Sequence, residues 1–333
     1  MLTFLGFVPD APPPGTFSEV AGNFESPEDL ALLCAELERT YGVVRVINTA
    51  FPGWQSDLVR EEIVFNYTFG FELMHQGIYP TYVLESGGFD YRGATPIGLM
   101  LSANKPHTSE LMASCGFLCP ASVLVPSLRS LEDADLLAPI ANSDLVVVKP
   151  AYEEASVGLR LLPNDIGDVR EAIRTLRAHV PGPFLIQEYI HGIDVTVPVI
   201  GDSEPYCLPA LALNRLDLDH RTPFVFDAIS KRSKRGLQYG PIDHWDACVV
   251  GEIYRMACAG FTLTSQRDYA RLDCRVDSAG RVWFLEMTPN PEVRPGKASF
   301  AVAAGYAGTT FADVMALVID RKAPQWRPPS ATT

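Results

Sequence analysis

The chain has 333 residues, of which 47% are hydrophobic and 20% are charged, and its formal net charge is −13. This composition is typical of a globular protein with two or three domains, and the acidic balance argues against a general affinity for nucleic acid or an anionic membrane. No apolar run approaches the roughly 20 residues that a helix needs to cross a bilayer.

The cysteines and the N-terminus indicate a reducing compartment. The seven cysteines lie in hydrophobic stretches, and the closest pair, Cys115 and Cys119, has no second pair to complete a metal site. We therefore interpret them as buried free thiols of a cytoplasmic protein. The segment 1–9 lacks the basic region of a signal peptide and is interpreted as a strand.

The first hundred residues alternate between strand and helix patterns. A helix begins at Ser26-Pro27, where a capping serine, a proline in the first turn and two acids give the expected start signals. Strands separated by helices predict a parallel sheet, so residues 1–100 are assigned to an N-terminal α/β domain. The other predicted elements are strands at 2–8, 43–47 and 62–66 and a helix at 79–86.

The rest of the chain divides into a second domain at 101–185, a third at 186–322 and a flexible tail at 323–333. The second domain is predicted to contain a helix from Lys105 to Cys115, strands at 120–125 and 144–149, and helices near 131–138 and at 165–179. The third is predicted to contain a strand at 184–190, a basic loop at 226–241, a helix at 247–260, a hairpin at 271–286 and a helix at 310–322.

The hairpin at 271–286 places charged side chains on one face of two predicted strands. If Val276 pairs with Arg281, then Arg271, Asp273 and Glu286 project together, because residues two apart in a strand share a face. Two neighbouring carboxylates suit magnesium, which completes its coordination with water and phosphates. A solvated surface hairpin is the alternative interpretation, and a bulge in the turn would shift the register.

A second candidate site lies at the end of the apolar strand 144–149. Lys149 closes this strand and is followed by the short loop Glu153–Gly158, which contains Ser156. A lysine and the backbone amides of a small-residue loop are what a polyphosphate requires. Surface loops with serine and glycine are also common, so the pattern alone leaves both interpretations open.

The order of the motifs carries a resemblance. Lys105, Val-Val-Val-Lys149-Pro, Ser156-Val-Gly, Gln187-Glu-Tyr-Ile-His-Gly-Ile-Asp194, the loop 227–239, Arg271-x-Asp273 and Glu286 follow one another along the chain. This series resembles the D-alanine:D-alanine ligase branch of the ATP-grasp superfamily from about residue 60 to residue 322. The resemblance implies an α/β fold of the α+β ATP-grasp type, with a parallel N-terminal domain followed by two ATP-grasp lobes that enclose the nucleotide.

The resemblance also implies residue roles and two cofactors, ATP and Mg²⁺, with Mn²⁺ as an alternative metal. The implied ATP contacts are Lys105, Lys149, Ser156 and Lys231 at the phosphates, Gln187, Tyr189 and Ile190 at the base, and Asp194 at the ribose. The implied metal ligands are Asp273 and Glu286, with Thr288 and Asn290 as further candidates. The implied catalytic residues are Arg271, which stabilises an oxyanion, and Lys231 and Arg232 on a loop that closes over the site.

The sequence departs from this family at several positions. Ala155 and Arg232 stand where the family has a serine and a tyrosine that hold D-alanine, so a D-alanine pocket is not expected. Glu154 replaces a glycine of the phosphate loop and changes its charge and flexibility. Thr288 replaces an asparagine ligand of the metal. The family's substrate-binding glutamate aligns only poorly, with Glu19 as the candidate.

Cations near the C-terminal end of the motif series indicate an anionic substrate. Arg294, Lys297 and Ser299 lie where the family binds the carboxylate of its second substrate, and guanidinium and ammonium groups suit a carboxylate or phosphate. The basic loop 231–235, which contains Arg232, Lys234 and Arg235, adds local positive charge. Solvated surface cations are the alternative interpretation.

These observations together predict an ATP-dependent carboxylate–amine ligase that forms an amide through an acyl phosphate, as a specialised amino-acid or dipeptide ligase. Its expected partners are a small carboxylate and a small amine, without nucleic acid or membrane, and a homodimer is expected because related ligases are often dimers. An intramolecular cyclising ligase, a small-molecule kinase on the same fold and a nucleotide-binding protein that has lost catalysis remain alternatives.

Overall fold

The computed structural model of the protein describes residues 1–7, 19, 27–68, 75–216, 222–227, 230, 236–296 and 298–322. Within these ranges the chain forms three sheets, which are taken below in chain order. The predicted tail at 323–333, the cations of the basic loop (Lys231, Arg232, Lys234 and Arg235) and Lys297 lie outside the described residues.

The N-terminal sheet is parallel, as the alternation of strands and helices predicts. Its strand order is β2-β1-β3-β4, and every neighbouring pair runs in the same direction. The first strand is apolar and buried along its whole length, which is typical of a sheet covered on both faces. Its elements are β1 (Leu2–Gly6), α1 (Pro27–Tyr41), β2 (Val44–Asn48), β3 (Ile63–Asn66), α2 (His75–Gly87), β4 (Tyr91–Arg92) and α3 (Pro96–Ala103).

The central sheet is antiparallel with the strand order β5-β8-β6-β7. Strand β8 crosses the predicted domain boundary at 185/186 and pairs with both β5 and β6, so this sheet continues to Glu188. The elements of this part are α4 (Lys105–Ser114), β5 (Ser122–Val125), β6 (Leu145–Pro150), β7 (Arg160–Pro163), α5 (Ile166–Arg177) and β8 (Phe184–Glu188).

The helix predicted near 131–138 is wrong. The structure has two short 3-10 turns instead, at Leu128–Glu132 and Ala138–Ile140. Between them the side chain of Asp133 accepts a hydrogen bond from the N–H of Asp135 at 2.9 Å. Such a local bond competes with the hydrogen bonds of a helix, which explains why the helical pattern is interrupted here.

The third sheet contains six strands and covers the rest of the candidate motifs. Strands β12, β11, β9, β13 and β14 follow one another in space, and β10 pairs with β9. Part of the predicted basic loop is therefore a strand, because β12 lies within 226–241. The elements are β9 (Ile193–Gly201), β10 (Tyr206–Cys207), β11 (Leu211–Arg215), β12 (Leu237–Pro241), α6 (Ala247–Leu263), β13 (Asp268–Val276) and β14 (Val282–Pro289).

The hairpin of β13 and β14 has a register different from the predicted one. Val276 pairs with Val282 instead of Arg281, which is a shift of one residue at the turn. A second shift of one residue follows at a bulge between Asp273 and Cys274. One shift turns the side chains of a strand to the opposite face, so the second shift restores the predicted face.

The two shifts leave the candidate residues together. Asp273 lies directly opposite Glu286, and Arg271 lies opposite Thr288. On the other side of β13, strand β9 places Thr196 opposite Asp273. The predicted register was wrong, whereas the shared face of Arg271, Asp273 and Glu286 is present in the structure.

The two C-terminal helices, α7 (Ser299–Tyr306) and α8 (Phe311–Asp320), return to the N-terminal domain. One hydrophobic core contains Phe4 of β1, Leu33 of α1 and Val318 of α8. No single helix among the described residues is long and apolar enough to cross a membrane, and only α7 and α8 taken together, at a bend of 110°, meet that test of length and composition.

Hydrogen bonds from two neighbouring backbone N–H groups hold the hairpin of β13 and β14 against the N-terminal domain. Gly93 donates to Asp268 at 2.9 Å, and Ala94 donates to Asn290 at 2.8 Å, so the start of β13 and the end of β14 are both held. Asp268 is 2% exposed and also accepts from Arg321 Nε at 2.7 Å, just beyond α8. This carboxylate therefore joins three segments of the chain.

Replacing Asp268 by Asn should lower the free energy of unfolding by about 2 kcal/mol, because it removes the charge of a buried carboxylate that accepts hydrogen bonds from Gly93 and Arg321. Urea unfolding followed by circular dichroism would measure the change. Asp243→Asn is the matched control, since the Asp243 side chain is 85% exposed, and its effect should stay within about 0.5 kcal/mol. Equal unfolding midpoints for the two variants would contradict the assignment.

Candidate active site

A single cavity collects most of the predicted site residues. Its volume is about 930 Å³, and β6, β9, β13 and β14 line it together with the loop 153–159 and the start of α7. The cavity therefore lies where the central sheet faces the third sheet. Of the predicted site residues that the structure describes, all except Gln187 line it.

The two predicted phosphate lysines reach the cavity from different elements. Lys105 is the first residue of α4, and its Nζ donates to the carbonyl oxygen of Glu153 in the phosphate loop. Lys149 lies near the end of β6, and its Nζ donates to Gln187 Oε1 at 3.0 Å. Both lysines are less than a tenth exposed, so their ammonium groups are held in place away from bulk water.

Burial changes the charge state of Lys149 near neutral pH. Desolvation lowers the pKa of its ammonium group to about 8, the Glu286 carboxylate opposes this shift, and the neighbouring charges of Lys105 and Arg275 add to it. An anion that entered the cavity would favour the charged form. The lysine is therefore suited to respond to a phosphate group.

The phosphate loop has an unusual backbone. Ala155, Ser156 and Gly158 have positive φ angles of 54°, 62° and 69°. For the alanine and the serine this left-handed conformation costs about 1 kcal/mol each, so it persists only where the surroundings fix it. The Ser156 hydroxyl supplies part of that fixation, since it donates to the carbonyl oxygen of Phe226 at 2.9 Å.

The carboxylate of Glu19 holds the far end of this loop. It accepts from the N–H of Gly158 at 2.8 Å and forms an ion pair with Arg160 at 2.6 Å. Glu19 is buried, and it comes from a part of the N-terminal region that is otherwise outside the described residues. Its contacts here are with the loop.

Glu154 brings a titratable carboxyl group into the cavity. Burial raises its pKa to about 7, an effect that Lys105 and Arg271 oppose and that Glu286 and Glu153 strengthen. Glu154 therefore places an ionisable group of the loop near Lys105 and Arg271.

The end of the cavity with the residues predicted to contact the base and the ribose contains an arginine that was not predicted. Asp194 Oδ1 accepts from Arg275 at 2.7 Å, and the same guanidinium donates to the carbonyl oxygen of Ile190 at 3.0 Å. The guanidinium also lies over the ring of Tyr189, 5.0 Å from its centre. One buried side chain thus organises three of the residues assigned to the nucleoside.

The signal for Arg275 was present in the sequence. Arg271, Asp273 and Arg275 alternate along β13, and residues two apart in a strand share a face. Continuing this alternation by two residues beyond Asp273 identifies Arg275.

The residue predicted to stabilise the oxyanion and the first predicted metal ligand are paired with each other. Arg271 donates to both oxygens of Asp273, at 2.9 Å from Nε and 2.6 Å from Nη2. The hydroxyl of Thr288 lies 3.4 Å from Asp273 Oδ2. The guanidinium thus neutralises the carboxylate in this structure, and a metal ion on Asp273 would compete with it.

The residues fit a magnesium site that is shared with a substrate. Asp273 and Glu286 face each other across the hairpin. The described residues contain no group of three or more His, Cys, Asp or Glu side chains that could hold a metal ion, so ligands from a substrate would be needed. Two carboxylates are what magnesium needs when phosphates and water complete its octahedral shell. Thr288 adds a neutral oxygen beside them.

The amide of Asn290, a candidate metal ligand, is hydrogen-bonded to the N-terminal part of the chain. Its Oδ1 accepts from Ala94, its Nδ2 donates to the carbonyl oxygen of Thr68 at 3.2 Å, and the residue is 1% exposed. Both ends of the amide are thus used to bind the N-terminal domain. We therefore leave Asn290 out of the set of metal ligands.

The substrate end contains acids that the sequence interpretation did not include. Arg294 pairs with Asp29 of α1 at 2.6 Å and with Glu292, so its charge is already compensated. Ser299 begins α7 and is 3% exposed. At or beside the site, three buried polar atoms have no hydrogen-bond partner among the described residues. They are Gln187 Nε2, Thr196 Oγ1 and Ser299 Oγ.

Known proteins share this architecture. Residues 139–320 match the family model described as the D-ala D-ala ligase C-terminus. The uncharacterized protein y4sG of Sinorhizobium fredii is 27% identical over 262 residues, covering 78% of this chain and 74% of that protein. The D-alanine–D-alanine ligase of Marinobacter nauticus is 26% identical over 239 residues, covering 71% and 68%. The D-alanine–D-alanine ligase of Bacillus anthracis, solved in complex with ATP, aligns over 96% of each chain with a TM-score of 0.70 at 16% identity.

Proposed function

The chain belongs to the family of the D-Ala–D-Ala ligase C-terminal domain, and on this premise we propose that it is an ATP-dependent ligase that joins a carboxylate to an amine. The observation that carries the proposal is the meeting of two buried lysines, Lys105 and Lys149, with the opposed carboxylates Asp273 and Glu286 in one cavity. Transfer of a phosphoryl group from ATP requires such positive charge beside a pair of carboxylates that can bind a metal ion.

ATP would lie between the two sheets, with its nucleoside toward Arg275 and its phosphates toward the lysines. Arg275 binds only Oδ1 of Asp194, so Oδ2 is left out of that ion pair and suits a ribose hydroxyl. Asp273 and Glu286 would hold Mg²⁺, which supplies charge neutralisation for the phosphates when it is bound. Lys105 and Lys149 would compensate the remaining negative charge.

The reaction would proceed in two displacements. An oxygen of the substrate carboxylate attacks the γ-phosphorus of ATP, the bond to the ADP oxygen breaks, and an acyl phosphate forms. The amine nitrogen then attacks the acyl carbon, the bond to the phosphate oxygen breaks, and the nitrogen loses a proton. Arg271 lies on the cavity face and suits the negative oxygen of the tetrahedral intermediate, because a fixed guanidinium needs little reorganisation.

The substrates are proposed to be amino acids or small peptides other than two D-alanines. Ala155 lacks the hydroxyl with which the related enzymes hold D-alanine, and Glu154 introduces a carboxyl group with a pKa of about 7 beside it. Both changes lie in the loop that lines the cavity. The altered loop therefore supports a specialised ligase over the cell-wall activity.

The proposed activity can be tested by release of phosphate from ATP in a screen of D- and L-amino acids, singly and in pairs, with mass detection of the products. We expect phosphate release to require both a carboxylate and an amine, and an amide product to appear. Asp273→Asn should lower kcat by about 1,000-fold or more, since it weakens metal binding beside the transferring phosphate.

The control for this variant is Asp243→Asn, which changes a carboxylate that is 85% exposed and does not line the cavity. Its kcat should stay within about two-fold of the parent. A phosphorylated carboxylate that accumulates without an amine would identify a kinase instead, and a cyclic product from one substrate would identify a cyclising ligase. Absence of ADP formation with every pair would refute the proposal.

The affinity for ATP should fall as the pH rises above about 8, because Lys149 loses its charge there. Below that pH the ammonium group is protonated and attracts the phosphates, so the loss should approach about ten-fold per pH unit until the bound form also titrates. Calorimetric titration with a non-hydrolysable ATP analogue would measure it. Lys149→Gln should bind more weakly, with no change in affinity between pH 8 and 9.

Ionisation of Glu154 should cause a separate decrease in the affinity for ATP at lower pH. Its carboxyl group ionises as the pH rises through about 7, and the new negative charge should also weaken ATP binding. Glu154→Gln should remove this step and leave the step near pH 8. A parent protein whose affinity is constant from pH 6 to 9 would contradict both assignments.

A further inference from the structure

Two cysteines in the third sheet and its helix are in contact with each other, away from the cavity. Cys207 ends β10, Cys258 lies in α6, and their sulfur atoms are 3.7 Å apart. All seven cysteines of the chain lie in the described residues as free thiols, and no second hydrogen-bonded pair of cysteines occurs among them. Neither Cys207 nor Cys258 lines the cavity, so the proposed ligase chemistry leaves both thiols unused.

The fold holds the two thiols on facing elements. Cys207 lies opposite Val199 in the antiparallel pair of β10 and β9, and α6 packs against both of these strands. Cys207 belongs to the hydrophobic core of the third sheet, and Cys258 packs at the border of that core. Cysteines often fill a core simply as small apolar side chains, so exposure, ionisation and geometry have to distinguish a reactive pair.

The two thiols differ in exposure and in ionisation. Cys207 is 2% exposed, whereas Cys258 is partly exposed and is the one that a small oxidant can reach. The hydrogen bond from the Cys207 thiol lowers the pKa of Cys258, and burial opposes this shift. The same hydrogen bond and burial raise the pKa of Cys207. Cys258 is therefore the thiol that ionises first, and the thiolate is the reactive form of a cysteine.

The distance between the sulfur atoms suits a bond between them. A disulfide requires the two atoms to move from 3.7 Å to about 2.0 Å apart, and rotation of the side chains about χ1 can supply a displacement of this size. Oxidation gives up the S–H contact from Cys258 to the carbonyl oxygen of Pro205, which is also 3.7 Å long and weak.

We propose that Cys207 and Cys258 form a reversible disulfide when the protein meets hydrogen peroxide, so that the pair is a site of oxidative modification. The Cys258 thiolate attacks an oxygen of the peroxide, the O–O bond breaks, and hydroxide leaves a sulfenic acid on Cys258. The Cys207 sulfur then attacks the sulfur of Cys258, the S–O bond breaks, and water departs with the Cys207 proton. Two thiols are thereby oxidised, and one peroxide is reduced to two waters.

The new bond closes a covalent ring over residues 207–258. This ring contains β11 and β12 and fastens α6 to β10. A cross-link between residues that are distant in sequence restricts the unfolded chain, so the oxidised protein resists unfolding better than the reduced protein. Because neither cysteine lines the cavity, the modification acts on stability and does not depend on the proposed ligase function.

Peptide mapping of the full-length protein tests the proposal directly. The reduced protein is treated with hydrogen peroxide, unfolded in the presence of an alkylating agent and digested, and mass spectrometry identifies linked peptides. We expect a pair of peptides joined through Cys207 and Cys258, which dithiothreitol separates. The thermal unfolding midpoint of the oxidised protein should lie at least about 5 °C above that of the reduced protein.

Two variants distinguish this pair from the other thiols. Cys258→Ser should abolish both the linked peptides and the rise in the unfolding midpoint, and Cys207 should then remain a free thiol. Cys248→Ser is the matched control, because it removes an exposed cysteine of the same helix, and it should keep both effects. Mapping of the parent protein needs no variant, so it decides the proposal even where a variant fails to fold.

Three outcomes would overturn the proposal. They are oxidation of Cys258 without a linked peptide, disulfides between chains through Cys115 or Cys248 in place of the expected bond, and an oxidised protein that unfolds at the same or a lower temperature than the reduced one. None of these measurements uses ATP or an amine, so the disulfide and the ligase function can fail independently.

Discussion

The candidate site depends on the alternation of side chains along β13 and on the bulge that corrects its pairing with β14. A regular hairpin with the register of the turn would place Asp273 opposite Leu285, whose side chain would occupy the position that Glu286 has. The bulge between Asp273 and Cys274 inserts one residue and brings the two carboxylates face to face. The meeting of Asp273 and Glu286 follows from this register, whereas the shared face of Arg271, Asp273 and Arg275 follows from the alternation along β13.

The sequence was sufficient for features that depend on local pattern. The helix start at Pro27, the parallel order of the first sheet and the common face of Arg271 and Asp273 are recovered in the structure, because helix starts and strand alternation are determined by nearby residues. The register of the hairpin was not recovered, since a bulge leaves no compositional signal in the chain. The side-chain bond of Asp133 interrupts a helix that its neighbours favour.

Roles that depend on distant partners could not be predicted. Asn290 resembled a metal ligand by position, but its amide is used by Ala94 and Thr68, about two hundred residues earlier in the chain. Arg294 forms an ion pair with Asp29 on the first helix, a partner that the motif around Arg294 does not show. The charge of a site depends on every segment of the chain that folds around it, whereas a sequence motif shows only one of these segments. The site consequently contains three arginines, and each is paired with a carboxylate before any ligand is present.

The hydrogen bonds from the Gly93 and Ala94 N–H groups restrict which wall of the cavity can move. Because adjacent peptide units hold both strands of the hairpin, the wall of the cavity that carries Asp273 and Glu286 is fastened to the segment that follows the N-terminal sheet. Widening the cavity for a substrate therefore has to come from the opposite wall, where the central sheet carries Lys149 and the phosphate loop.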